Sequence, residues 1–527
     1  MNLLRAAATV GGFTLLSRVL GFVRDLAIAA VLGAGAAADA FFVAFKLANM
    51  LRRLFAEGAF NAGFVPLFAR TLEQEGEQAA RAFAAHALSV MALLLAGVVL
   101  IAELAMPVLV RVIATGFDPR DERYRLAVEL SRLTFPYLAA ISLAALVSGV
   151  LNGLGRFAAA AFAPVLLNLV LIAALALAVA TGASAAHLLA AGVLAAGVAQ
   201  FALVFAAAAR AGFALLPRWP RGPERARLRR LWHLVLPGAF GAGVYQLNLV
   251  VDTWFASHLP TGAVSYLFYA DRLVQLPLGL VGVALGTALL PLLARQLRAG
   301  RIDAARHNFD RALELALFAS LPAALGLILL AEPIVRVLFE RGAFDRAATE
   351  ATAAALAAFA CGLPAFVLVK VLATAFFARE DTRTPVFVAA LCLGANVLVI
   401  LATIGPFGHV GIALATALSN WINAGLLTLV LVRRGAFVPG ARLRSRVLRL
   451  LLASGLLSLL LWALRAFGPA PDSLGGLGFA LAGGAGGYLL FARLTGAFAF
   501  SELRAALVRA PAEPAGAAAR LDRAKTA

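Results

Sequence analysis

Runs of apolar residues long enough to cross a bilayer recur from one end of this chain to the other, and that recurrence fixes the fold class before anything else is read. A helix needs about 20 residues to cross ~30 Å of hydrocarbon, and it satisfies its own backbone hydrogen bonds where lipid offers none. Such runs lie near residues 6–32, 38–66, 82–112, 127–152, 159–182 and 185–209, and again near 232–257, 264–294, 309–331, 350–377, 385–404 and 409–432. Two more follow near 447–467 and 474–495. Fourteen spans in 527 residues, with 62% hydrophobic and 14% charged residues, describe an all-α polytopic membrane protein with 14 transmembrane helices and exclude a soluble globule.

The basic residues orient the spans. The formal net charge is +19, yet the arginines sit in short connections between apolar runs, without the interleaved aromatics of a nucleic-acid surface. The connections after the sixth, eighth and twelfth spans are arginine-rich, as in Arg225, Arg227, Arg229 and Arg230 or Arg433, Arg434, Arg442 and Arg444. The turns near 183–186, 258–263 and 404–408 hold no lysine or arginine. Both termini are therefore expected in the cytoplasm, with the chain in an inner (cytoplasmic) membrane and its first helix retained. Cys361 and Cys392 lie in apolar runs and read as small buried thiols.

The chain also repeats. Pro66-Leu67-Phe68-Ala69-Arg70 returns as Pro291-Leu292-Leu293-Ala294-Arg295, 225 residues on; Pro107 returns as Pro333 after 226, and Phe135-Pro136 as Leu363-Pro364 after 228. Two six-helix lobes in parallel repeat, with two additional C-terminal helices, account for this, and place a binding site between the lobes. The expected divisions are an N-terminal lobe at 1–212, a basic linker at 213–230, a C-terminal lobe at 231–434, the added helix pair at 435–496 and a cytoplasmic tail at 497–527.

The first two spans carry more charge than any anchor needs. Arg18, Arg24, Asp25, Asp39, Lys46, Arg52, Arg53 and Glu57 all lie within or beside them. A charge at the bilayer centre costs about 2.5–3.5 kcal/mol on insertion scales, so such residues face a cavity or each other. Mutual ion pairing is an incomplete account, because the five cations outnumber Asp25, Asp39 and Glu57. On the second helix Asp39, Lys46 and Arg53 recur every seven residues on one face, with Asn49 and Arg52 to its side. Converging planar guanidiniums suit a pyrophosphate better than a carboxylate. From the second lobe, Asp271 and Arg272 point at the same axis.

Asp252 stands apart, with no basic neighbour in its own helix, and could form a cation site with Asn396 and Thr416. Lys370 lies in the tenth span with no assigned role. The six histidines show no ligand spacing, and no P-loop or dinucleotide fingerprint occurs, which argues against a nucleotide-driven pump.

SRVLGFVRD from Ser17, DAFFVAFKLANMLRRLFAEGAF from Asp39, YADRL from Tyr269, FVPLFAR from Phe64, FPYLAAISLAALVSGVLN from Phe135 and GVALGTALLP from Gly282 closely resemble the MurJ (MviN) family of lipid II flippases, in the multidrug/oligosaccharidyl-lipid/polysaccharide exporter superfamily. The resemblance covers nearly the whole chain. It implies a groove at the last two helices for a polyprenyl tail, and transfer of an undecaprenyl-diphosphate-linked disaccharide-pentapeptide between leaflets for peptidoglycan synthesis, alongside membrane lipids and other cell-wall synthesis proteins. It singles out Arg18, Arg24, Arg52 and Arg272, with Asp39 and Asn49 beside them, and prefers Arg52 to Arg53. Gln275 stands where some relatives carry an acidic residue.

The resulting expectation is a transporter, not an enzyme. Arg18, Arg24, Asp39, Lys46, Asn49, Arg52, Arg53 and Arg272 would bind substrate, while Asp25, Glu57, Ser265, Asp271 and Gln275 gate or support the site. No cofactor is implied beyond a sodium ion at Asp252, Asn396 and Thr416; either that ion or the membrane potential would reset the carrier. Export of drugs or another polyprenyl-linked glycan would need a more aromatic lining. A membrane-embedded glycosyl- or phosphotransferase would need carboxylate or histidine clusters at membrane-edge loops, and none is found.

Overall fold

The computed structural model describes residues 3–52, 59–216, 229, 231 and 250–497, and every regular element among them is a helix. In order these are α1 Leu3–Leu32, α2 Ala36–Arg52, α3 Ala59–Leu104, α4 Met106–Ile113, α5 Glu122–Thr134, α6 Tyr137–Gly153, α7 Ala158–Thr181 and α8 Ala185–Arg210. Then come α9, described over 250–257, α10 Ala263–Arg298, α11 Ile302–Leu329, α12 Ala331–Phe339, α13 Arg346–Cys361 and α14 Leu363–Phe377. The series closes with α15 Arg383–Phe407, α16 His409–Arg433, α17 Ala441–Phe467 and α18 Leu474–Leu494. Ten stretches of described helix are long and apolar enough to cross a membrane.

Several span boundaries differ from the sequence reading, each for a local reason. The second and third spans were expected to be separated by a connection near 67–81. Instead α3 is two helical stretches that meet at a kink within that connection, because Leu72-Glu73-Gln74-Glu75 and Glu77-Gln78-Ala79-Ala80 on either side are good helix formers without proline. Its one break is Gly76, at φ 84°, a conformation open to glycine without steric cost. Two expected spans stand but carry a proline break: Pro136 lies between α5 and α6, and Pro364 lies in the first turn of α14 just after α13, while Glu122–Gly153 and Arg346–Phe377 each remain long and apolar enough to cross as one. Cys361, expected buried, is exposed; Cys392 is buried, and both are free. Arg53 and Glu57, most of the 213–230 linker and nearly all of the tail lie outside the described residues.

The repeat seen in the sequence is a repeat of packing. In the first half α7 packs on α8, α6 on α8, α3 on α6, α2 on α5 and α4 on α5; in the second, α15 packs on α16, α14 on α16, α11 on α14, α10 on α13 and α12 on α13. The short helices α4 and α12 each begin with a proline in the first turn and carry an arginine, Arg111 or Arg336, in the last. The hairpin α17–α18 lies against α11 and α12. Arg336 Nη1 meets Asp472 at 2.5 Å at one end of that hairpin, and Arg442 Nε meets the buried Glu314 at 3.5 Å at the other.

Candidate functional site

The two halves are clamped together at one end of the molecule. Asp39, near the start of α2, is fully buried and accepts from the first turn of α10: Gly262 N–H at 2.7 Å, Ser265 N–H at 2.9 Å and Ser265 Oγ at 2.6 Å. A carboxylate on free amides at a helix N-terminus is favoured by both hydrogen bonding and the helix dipole. Beside it Tyr269 donates its hydroxyl to Gly33 O at 2.9 Å, and Ala343 N–H donates to Ala30 O at 2.8 Å. Gly33 turns the chain at φ 64°, and a Cβ there would lie 2.3 Å from Ala343 O, so only glycine permits this approach. Gly116 N–H to Ser257 Oγ (3.0 Å) and Arg123 Nη1 to Leu259 O (3.4 Å) extend the seam. Asp39 and Ser265 thus occupy an interdomain clamp in this conformation, rather than a cavity wall.

Deeper in, a carboxylate is shared by two arginines. Arg24 donates from Nε at 3.0 Å and Nη2 at 2.7 Å to Asp25 Oδ1, and from Nη1 to Asn168 Oδ1 at 2.8 Å. Arg272 of α10 brings its Nε within 3.7 Å of Asp25 Oδ2, too long for a hydrogen bond, while its guanidinium lies over the Phe268 ring at 4.7 Å. Arg24 is 7% exposed and Asp25 3%, so this ion pair is desolvated, while the Arg272 side chain that approaches it from the other half is 31% exposed. Gln275 donates to Asp271 on the next turn of α10.

The remaining cations descend along the helices from the clamped end. At 1.5 Å per residue, Lys46 lies about 15 Å below the start of α2 and Arg52 about 24 Å; Arg18 lies about 21 Å below the end of α1. Lys46 Nζ donates to Thr253 Oγ1 at 2.5 Å, Asn49 accepts from Arg52 Nε at 3.0 Å, and Arg18 packs against α10, where a Cβ on Gly279 would lie 2.8 Å from its Nη1. Lys370 of α14 is exposed and close enough to Arg18 to feel its charge, which brings a cation of the second half into the set.

Asp252, Asn396 and Thr416 do converge. Asn396 Nδ2 donates to Asp252 Oδ1 at 3.1 Å and Thr416 Oγ1 to Oδ2 at 3.4 Å. Asp252 has no basic neighbour in its own helix, as expected, and the fold adds Lys46 from α2, which donates to the adjacent Thr253. Three helices thus present carboxylate, hydroxyl and amide oxygens of the kind a hard cation takes, once the amide turns its oxygen inward.

Beyond the cations, an apolar cavity of about 460 Å³ lies between α10, α11, α12, α17 and α18, lined by Pro277, Phe318, Leu330, Ile334, Leu461 and Tyr488 among others. Sequence reasoning missed Asn168, Thr253 and Tyr269. Asn168 had a signal, being the one polar residue of FAPVLLNLVLI, and a buried amide in such a run requires a partner.

Comparison with known proteins bears on the family and the fold. The model of the family described as "Lipid II flippase MurJ" matches residues 28–476. A probable lipid II flippase MurJ from Rhizobium tropici is 44% identical over 461 residues, covering 87% of this chain and 86% of the relative. The solved structure titled "Lipid II flippase MurJ, inward closed conformation" is 25% identical and superposes with a TM-score of 0.79, over 92% of this chain and 98% of the other. An inward-facing multidrug resistance MATE transporter shares the fold at 16% identity, with a TM-score of 0.68 over 79% of this chain and 94% of its own. A family model spanning most of the chain, a relative at this identity and a matching solved fold together show that the chain belongs to the lipid II flippase MurJ family.

Proposed function

We propose that this protein carries lipid II from the cytoplasmic to the periplasmic leaflet of the bacterial inner membrane by alternating access between two six-helix lobes. The observation that carries the reading is Asp25, held by Arg24 of one half and approached by Arg272 of the other. An anion at that point is stabilised by both halves at once, and a diphosphate offers more charge and more acceptor oxygens than a carboxylate. The substrate's head group would replace Asp25 between the two guanidiniums, with Arg18, Lys46, Arg52 and Lys370 along its path.

The cavity bordered by α17 and α18 suits the polyprenyl tail, since its lining is apolar and it lies beside α10, which carries Arg272. The clamped end holds the turn at 258–262, which lacks lysine and arginine, so we assign it to the periplasm, with both termini cytoplasmic. In this state the clamp closes the site on the periplasmic side. A fourteen-helix count, the lobe boundaries at residues 212 and 231 and a sodium ion at Asp252, Asn396 and Thr416 belong to the same proposal, as does proximity to other cell-wall synthesis proteins. The test is a leaflet-specific assay for lipid II in cells depleted of this protein. Flipping should stop, resume with the intact gene, and fail to resume with Arg24→Ala; continued flipping after depletion overturns the reading.

A further inference from the structure

Asn168 and Asn396 do the same job in the two halves, with the sign of the charge reversed. Asn168 of α7 accepts from Arg24 of α1, 144 residues earlier, and Asn396 of α15 donates to Asp252 of α9, also 144 residues earlier. Both partners of the first pair are 228 residues from their counterparts, the displacement that also relates Phe135-Pro136 to Leu363-Pro364. Both amides are buried, at 4% and 0% exposure. An amide can serve either charge, because its oxygen accepts from a cation and its nitrogen donates to an anion.

We propose that Asn168 is a positioning residue for the anion site: it fixes Arg24 for the substrate diphosphate as Asn396 fixes Asp252. This rests on the reading of Arg24 given above. Asn168 has two holds on α1. Its Oδ1 takes Arg24 Nη1, and its Nδ2 donates to Ser17 O at 2.9 Å and reaches Ser17 Oγ at 3.3 Å. The bonds to Ser17 fix the amide of Asn168 itself, so the oxygen it offers Arg24 is held in place against α1. Asp25 occupies Nε and Nη2 of the guanidinium. With Nη1 anchored to Asn168, Asp25 can yield its place to a phosphate without the guanidinium swinging away, so the geometry that greets the substrate is preformed.

The experiment is a double-mutant cycle on the full chain, measuring affinity for purified lipid II and for uncharged undecaprenol. Asn168→Ala should weaken lipid II binding about tenfold or more, the usual loss for a hydrogen bond to a charged group, and leave undecaprenol affinity unchanged. On an Arg24→Ala background it should cost nothing further. If Asn168→Ala binds lipid II like the unaltered protein, loses both ligands equally, or adds its full cost to Arg24→Ala, the positioning role is overturned. If Arg24→Ala itself leaves lipid II binding intact, the reading of Arg24 fails instead. Asn168→Ser replaces the alanine variant where that is not monodisperse, and failure of both to fold assigns Asn168 to folding and overturns the proposal.

Discussion

Ser265 of α10 gives both its hydroxyl and its backbone N–H to one oxygen of Asp39 of α2, at 2.6 and 2.9 Å, so a single carboxylate locks the first half of the protein to the second. The clamp is fully buried, and its loss leaves amide donors without an acceptor. Asp39→Ala should destabilise this conformation by about 1–3 kcal/mol. Spin labels on the exposed turns at Ala183 and Phe407 should then report longer, broader distances by pulsed electron resonance. An unchanged distribution would remove the clamp from the account of gating.

If the substrate diphosphate takes Arg24 and Arg272 as proposed, Asp25, which they now share, competes with it. Asp25→Asn should therefore tighten lipid II binding and slow turnover, because the empty carrier loses the internal anion that lets the arginines release product. Arg272→Ala should lower transport more than tenfold, and Arg272→Lys should recover only part, since an ammonium lacks the planar fork and stacks less well over Phe268. Weaker binding in Asp25→Asn, measured on purified protein, would contradict this competition.

How much of this was legible beforehand depended on the kind of signal. Arg24, Arg272 and Asp252 announced themselves because charge in an apolar run is costly wherever it sits. The partition into halves was legible because each lobe breaks at the same prolines, Pro136 and Pro364. The depth of Asp39 was not: periodicity placed it on the face of Lys46, and periodicity cannot say which part of a face another helix covers. Lys46 beside Asp252 was equally hidden, because the bond that brings it there, to Thr253, joins residues 207 positions apart.

Outside the membrane, Asp381 in the turn between α14 and α15 is held well below the usual carboxylate range, to about 2, by hydrogen bonds from the Thr384 hydroxyl and N–H and by Arg434. A depressed folded-state pKa means the clasp contributes fully above the unfolded value near 3.8 and is lost as pH falls toward 2. Thermal stability of the unaltered protein should fall more steeply over that window than that of Asp381→Asn. Parallel curves would show that the clasp does not contribute.

If a sodium ion resets the carrier, Asp252→Asn should abolish any dependence of transport on a sodium gradient in proteoliposomes while lipid II binding stays within about threefold, a difference of under 1 kcal/mol. Asn396→Ala should give the same phenotype in milder form, because it misplaces the carboxylate without removing its charge. Sodium-dependent transport that survives Asp252→Asn would move the coupling elsewhere.

The cavity between α10 and the α17–α18 hairpin can be tested by filling it. Ala485 lines it from α18, next to Gly484, which is packed so tightly that a Cβ there would lie 2.8 Å from Leu461 Cδ2. Ala485 is exposed, so Ala485→Trp can place its indole in the cavity without forcing the hairpin apart. Each methylene displaced from apolar surroundings costs about 0.8 kcal/mol, so excluding two or three of them from a polyprenyl tail should weaken binding by roughly tenfold or more. A substrate with the same head group on a short prenyl chain that does not reach the cavity should bind Ala485→Trp and the unaltered protein alike. Equal weakening for long and short chains would show that the tail lies elsewhere, and that α17 and α18 serve another purpose.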